Sequence, residues 1–316
     1  MKVLYVLDVK QFMYIGQNKR ETVCKGVIED NGVYRPNEMR VGSIVYLMNL
    51  LSKLDKEKEE KDIVLCFDSP PVIKRELALK ELGIKYKGNR STPPQHVIYQ
   101  YDLAKIIFPQ MGYNCLVAEG LEADDLIASV VLKYKSVYDS VVIFTEDSDQ
   151  YYLIDKKTEV QSIRSNGRSV NFYNYRSSVK KNRLVTYNCV NLLKLIEAEK
   201  SDNIPALRQD VIDRLVRMIP AEVFPFLGNM TLFRTIFKNI VGADDKESLA
   251  IFDLINPITV YDERSSIIQR GATIDYRMFS YYAVLFGAYG YGKQQLMSNQ
   301  LGDSTVENFL DNLNRR

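Results

Sequence analysis

The chain is predicted to be an α/β protein built on a mostly parallel sheet flanked by helices. Short Val/Ile/aromatic runs recur at residues 3–7, 63–67 and 141–145, with the length and composition of strands buried on both faces. Each run ends at or just before aspartates: Asp8, Asp68, and Asp147 with Asp149. Stretches with helical apolar spacing lie between them. In an open α/β sheet, ligands collect at the carboxyl ends of the strands, so acids scattered in sequence are expected to converge there.

Residues 2–7 read as the first strand, and Asp30-Asn31-Gly32 as a hairpin or loop. Over 41–54, Ile44, Leu47, Met48, Leu51 and Leu54 share one helical face. The mixed charges of 55–62 read as a solvated helix end and loop before the second strand, 63–67. Residues 70–95 are basic and polar, with paired prolines at each end; 97–108 is again helical, and a short strand follows near 113–117. The segment Glu122-Ala123-Asp124-Asp125 opens a helix, where the macrodipole favours negative charge. After the strand at 141–145, residues 158–163 and 168–173 are expected to pair around Asn166-Gly167. From about 185 the pattern is mainly helical, so the chain divides into an α/β part, 1–184, and a helical part, 185–316. The aromatic stretch Phe279 to Tyr282 reads as core, and Val306–Leu313 as a short amphipathic helix.

Composition excludes several classes. No run approaches the ~18 apolar residues of a membrane span, and Asp8 interrupts the N-terminal apolar run too early for a signal peptide. The four cysteines (Cys24, Cys66, Cys115, Cys189) are widely spaced, which points to buried free thiols and a reducing cytoplasm. The single histidine, His96, is expected on the surface without a role, and Glu119 is expected to be a loop charge. The net charge of +2 conceals an asymmetry: with nine of the 40 acids set aside as ligands, 42 basic side chains face 31, a surface of +11. That balance suits a protein that binds a polyanion and cuts it at one acidic site.

Converging carboxylates raise one another's pKa values unless cations neutralise them. Oxygen ligands without His or Cys suit magnesium or manganese rather than zinc. No Ser, Cys or His stands in a nucleophilic arrangement, so hydrolysis is expected to use water.

In order along the chain stand Asp8, Cys66-Phe67-Asp68, Tyr86-Lys87-Gly88-Asn89-Arg90, Glu122 to Asp125, Thr145 to Asp149, and Ser201-Asp202-Asn203-Ile204-Pro205. Six motifs in this order resemble the 5′-nuclease (flap endonuclease) family, whose catalytic domain is PIN-like. The likeness covers most of the first two-thirds of the chain and is greatest to stand-alone bacteriophage members and to the 5′-nuclease domains of bacterial polymerases. It implies two Mg²⁺ or Mn²⁺ ions, the first held by Asp8, Asp68, Glu122, Asp124 and Asp125, the second by Asp147, Asp149, Glu199 and Asp202. It implies that the stretch carrying Lys74, Arg75, Lys80, Lys85, Tyr86, Lys87 and Arg90 arches over the site, with Lys87 and Arg90 reaching the scissile phosphate and Tyr86 stacking on a base. The implied role is primer and flap removal in replication, in a bacterial host cytoplasm if the chain is viral. DNA with 5′ flaps or ends, or an RNA–DNA hybrid, would be the substrate. A polymerase or single-strand-binding protein would be the partner, and the chain is expected to be a monomer.

Three departures stand beside the resemblance. Glu199 takes the place of an aspartate, with Lys200 next to it as a pairing partner. Val9 follows Asp8 where the family favours glycine. The glycine hairpin of the family's helix–three-turn–helix is replaced by Ala206-Leu207-Arg208-Gln209-Asp210-Val211-Ile212, so its backbone phosphate cradle, and the potassium site with it, is not carried over. Arg208, Arg214 and Arg217 offer side-chain contacts to duplex instead, or serve a surface helix. Two other readings stay open at this point: a DNA-junction binding module with weakened catalysis, and a PIN-like ribonuclease. A phosphatase of the haloacid type is disfavoured, because Asp8-Val9-Lys10 lacks the second acid.

Overall fold

A computed structural model describes residues 1–19, 23–30, 33–69, 80, 82–84, 87–88, 90–162, 169–170, 190–200, 202–218, 230–256 and 273–285. The strands are β1 (Lys2–Asp8), β2 (Val23–Asp30), β3 (Val33–Arg40), β4 (Glu60–Cys66), β5 (Asn114–Leu116), β6 (Ser140–Phe144), β7 (Thr158–Gln161) and β8 (Ser169–Val170). The helices are α1 (Val9–Lys19), α2 (Gly42–Asp55), α3 (Gln95–Gln110), α4 (Ala123–Tyr134), α5 (Val190–Glu197), α6 (Gln209–Met218), α7 (Met230–Val241), α8 (Lys246–Ile255) and α9 (Tyr276–Leu285). The chain divides into two units of separate segments, one of Met1–Asp8, Glu60–Thr92 and Leu116–Ile268, the other of Val9–Glu59, Pro93–Cys115 and Gln269–Arg316.

The first unit is organised by a sheet of order β5-β4-β1-β6-β7-β8. β1 pairs in parallel with β4 and β6, β6 in parallel with β7, and β8 returns antiparallel. Burial explains the strand composition: Leu4, Val6, Leu7, Val64, Leu65, Val141 and Ile143 are fully enclosed. The register aligns the carboxyl ends, with Asp8 opposite Cys66 and Leu7 opposite Phe144. α4 lays Ile127, Val130 and Val131 into the same core. The second strand starts earlier than its pattern suggests. Charges predicted to be solvated lie inside β4, and Asp62 is buried against the Tyr138 hydroxyl, which donates to it at 2.6 Å.

Further along this unit, α6, α7 and α8 pack around Phe233, Phe237 and Phe252. Asp245 caps α8, accepting from the Ser248 N–H at 3.1 Å and the Ser248 hydroxyl at 3.0 Å. Arg208 adds a 3.0 Å ion pair to Asp245 and also reaches Glu247 and Asp210. Burial pushes the Asp245 carboxyl up, but the Ser248 bonds and Arg208 outweigh it and hold the group below its usual range. Its contribution is therefore complete above the unfolded value of about 4 and is lost as pH falls through the lower folded value. Asp245→Ala is expected to cost about 1–2 kcal/mol, measured by urea unfolding at pH 7, with the difference from the parent shrinking in acid.

The second unit contains the β2–β3 hairpin, whose antiparallel register runs from Val23 opposite Arg40 to Asp30 opposite Val33. α1 is a helix that the sequence reading did not assign. Its Phe12, Met13 and Ile15 are buried, and its neighbour is α2. The Ser43 hydroxyl donates to the Met13 carbonyl at 2.6 Å, and the Ser43 N–H donates to Gln100 Oε1 at 2.9 Å. Phe279 and Tyr282 of α9 are buried, as a core role requires. Cys66 and Cys115 are free thiols, and burial pushes that of Cys115 up to about 12. The segment Val306–Leu313, the turn at Asn166-Gly167, Cys24's surroundings and Cys189 lie outside the described side chains and residues.

Candidate functional site

The acids gather at the carboxyl edge because the strands that carry them end together. Asp8, the last residue of β1, is buried and accepts from the Thr145 hydroxyl at 3.3 Å. The same Thr145 oxygen accepts from the Asp147 N–H at 3.1 Å, and Asp147 caps a short 3-10 turn by accepting from the Asp149 N–H at 2.9 Å. One threonine thus links the acid of β1 to those after β6. Beyond β4, Asp68 Oδ1 accepts from the Ala123 N–H at 2.7 Å, and the Ser69 N–H donates to the Leu121 carbonyl at 3.0 Å. These bonds tie the exit of β4 to the start of α4.

Glu122 and Asp125, three residues apart, meet at the N-terminus of α4, where the Glu122 N–H donates to Asp125 Oδ2 at 3.0 Å. Asp125 is fully buried and Asp124 partly exposed. A cavity is lined by Glu122, Asp124, Asp149, Glu199 and Asp202, together with Gln150, Asn191 and Lys194. Asp8, Asp68, Asp125 and Asp147 are not among its lining residues. Among the described residues, no three His, Cys, Asp or Glu side chains already stand in metal-ligand geometry. Protein cations sit on the carboxylates instead. Lys87 Nζ lies 2.5 Å from Glu122 Oε1, the Arg90 guanidinium pairs with Asp202, and Lys194 pairs with Asp149 and, at 2.6 Å, with Glu199.

The motif around Asp202 is a closed loop. Glu199 and Ile204 exchange two backbone hydrogen bonds of 3.0 Å, and the Lys87 N–H donates to the Asp202 carbonyl at 3.0 Å. Lys87, Ala198 and Asn203 are the non-glycine residues with positive φ among the described ones, at 52°, 71° and 61°. All three lie in segments that bring charged groups to the cavity, which is where such strain concentrates.

Electrostatics shows how crowded the cavity is. Burial first, then the charges of Asp147 and Asp124, push the Asp149 carboxyl well above its usual range, and Lys194 only partly offsets them. Burial disfavours the Lys194 ammonium, but Asp149 and Glu199 more than restore it and raise its pKa.

Two cavity residues have no place in the acid pattern. Gln150 donates to Asp124 Oδ1 at 3.0 Å. Lys194 pairs with Glu199 at 2.6 Å, a partner that adjacency in sequence did not suggest. A signal was available for Lys194: it falls in the apolar helix 190–197, three residues after Asn191 and so on the same face. Lys74, Arg75, Lys85 and Tyr86 lie outside the described residues, and Lys80 is exposed. Two of the three arginines considered for duplex contact are engaged within the protein: Arg208 as above, and Arg214 with Asp210 at 3.1 Å and the Ile240 carbonyl at 3.3 Å.

The chain is 28% identical over 176 residues to a 5′-3′ exonuclease of Buchnera aphidicola, covering 55% of this chain and 58% of that protein. It is 26% identical to a 5′-3′ exonuclease of Aquifex aeolicus, covering 66% and 65%, and 27% identical to a DNA polymerase I of Caldicellulosiruptor bescii, covering 54% and 20%. The match therefore spans less than two thirds of each of these curated relatives. Among solved structures, a T5 protein co-crystallised with metal ions has a TM-score of 0.52 at 15% identity, covering 98% of both chains. The T5 5′-exonuclease with bound zinc has a TM-score of 0.50 at 18% identity, covering 80% of this chain and 100% of that one. These likenesses establish a shared PIN-like α/β fold. Residues 26–183 match the family described as 5′-3′ exonuclease, N-terminal resolvase-like domain, and the chain belongs to that family.

Proposed function

We propose that the chain is a metal-dependent 5′-nuclease, a flap endonuclease and 5′→3′ exonuclease that hydrolyses phosphodiesters near the 5′ ends of branched or RNA-primed DNA. The observation that carries this reading is the gathering of Glu122, Asp124, Asp149, Glu199 and Asp202 around one cavity, with Lys87 and Arg90 reaching two of them. The donor set is carboxylate and amide oxygen, which fits Mg²⁺ or Mn²⁺. The buried Gln150 Oε1, which has no hydrogen-bond partner among the described residues, adds a further oxygen donor beside it. Asp8, Asp68, Glu122, Asp124 and Asp125 would hold or orient a first ion, and Asp147, Asp149, Glu199 and Asp202 a second. When bound, such ions supply an activated water and stabilise the leaving oxygen. The chain's own contribution is positioning. Thr145 keeps Asp8 and Asp147 in register, and Lys87 and Arg90 would turn to the scissile phosphate once Glu122 and Asp202 are neutralised.

The names of the Buchnera and Aquifex relatives support the reading, as does the match to part of a DNA polymerase I. The proposed setting is primer and flap removal in a bacterial cytoplasm, by a monomer alongside a polymerase or single-strand-binding protein. The helical part, 185–316, would bind the duplex. The test is incubation with 5′-flap DNA, an RNA-primed duplex and circular single strands, with magnesium or EDTA. Products only from 5′-ended substrates, abolished by EDTA, are expected. Cleaved circles would turn the reading to an internal ribonuclease-like activity. Tight flap binding without products in magnesium would turn it to a junction-binding module.

A further inference from the structure

Lys87 and Arg90 are assigned above to a phosphate; Lys194 has no such assignment. It enters the cavity from α5, its side chain is only 15% exposed, and its ammonium contacts Asp149 and Glu199. Those are two of the carboxylates assigned above to a second ion. The same cavity contains an unpaired oxygen: Gln150 is 1% exposed, its Nε2 is committed to Asp124, and its Oε1 has no hydrogen-bond partner among the described residues. A buried unpaired amide oxygen is costly to leave without a partner, and it is a hard donor of the kind a divalent cation takes.

We propose that Lys194 is a resident counter-ion that a divalent cation must displace to reach Asp149 and Glu199. This side of the cavity therefore binds a divalent ion more weakly than the side of Glu122 and Asp124, because the Lys194 ammonium meets two of its carboxylates where Lys87 meets only Glu122. The inference rests on the metal-dependent reading above. The ammonium bridges these two carboxylates with one charge on a flexible four-carbon stem. A divalent ion brings two charges and more coordination, but it must first break both contacts and return the ammonium to solvent. Lys194 thus keeps the site assembled before the ion arrives and makes its filling depend on ion concentration.

The test is Mn²⁺ binding to the full chain, by calorimetry and by counting free Mn²⁺ with electron paramagnetic resonance, in the parent and in Lys194→Met. Two classes of site are expected in the parent. Lys194→Met should tighten the weaker class about tenfold or more and change the stronger class by less than about threefold. A weaker class that is unchanged or loosened in a folded variant overturns the proposal. The parent protein supplies a readout that does not depend on the variant's folding. Reductive methylation of Lys194, followed by peptide mass spectrometry across a Mn²⁺ titration, should rise as the weaker class fills. Flat labelling overturns the role of Lys194 while leaving the nuclease reading intact. Absence of any Mn²⁺ binding overturns both.

Discussion

Asp124→Asn is expected to lower magnesium-dependent cleavage of a 5′-flap by at least about a hundredfold, a barrier increase of about 2.7 kcal/mol. Asp124 lines the cavity and is partly exposed, so its carboxylate is open to an ion. The asparagine oxygen can still accept from Gln150 Nε2, which now bonds Asp124 Oδ1 at 3.0 Å. What is removed is one negative charge and one anionic oxygen, the properties a hard divalent ion requires. Flap affinity measured in EDTA should stay close to that of the parent, and the unfolding midpoint should be preserved. Turnover within threefold of the parent would remove Asp124 from the site. Asp125 is a less clean probe, because it is fully buried and accepts from the Glu122 N–H. A substitution there mixes loss of a ligand with loss of the turn that presents Glu122.

The second large effect concerns folding. Gly16→Ala is expected to destabilise the chain by about 2 kcal/mol, the balance of two opposing terms. Alanine is the better helix former by about 1 kcal/mol, and in a loosely packed α1 it would stabilise. Here a Cβ at position 16 would lie 2.5 Å from Ser43 Cα and 3.1 Å from the Gly42 carbonyl oxygen. Backbone cannot yield as a side-chain tip can. The helices would have to separate, which weakens the Ser43 hydroxyl bond to the Met13 carbonyl. Overpacking of this kind costs about 1–3 kcal/mol, and the strained hydrogen bond adds about 1. Urea unfolding decides the sign: a midpoint above the parent's would show that α1 and α2 are not held in this contact.

These two positions also show where sequence reading works and where it stops. The strands β1, β4 and β6 were legible because burial on both faces demands unbroken Val, Ile, Leu and aromatic runs. The acids after them were legible as a set because parallel strands deliver their carboxyl ends to one edge. α1 was missed because Gly16, Gln17 and Asn18 dilute its apolar period, although Phe12, Met13 and Ile15 are buried. Gly16 looks like a helix weakness until the approach of α2 explains it. Asp62 looked solvated because its neighbours are charged. Only the position of Tyr138, 76 residues away, makes it a buried acceptor.

From the order of its residues alone, the chain declares an α/β sheet and the delivery of its strand-end carboxylates to one edge. Those properties follow from local composition and from the period of strands and helices, which neighbours in sequence already specify. The pairing of charges at the site is a different kind of fact. Lys194 on Asp149 and Glu199, Arg90 on Asp202 and Thr145 between Asp8 and Asp147 depend on distances between segments far apart in the chain. Coulomb and hydrogen-bond energies fall off over a few ångströms, so only the folded arrangement selects which cation neutralises which acid.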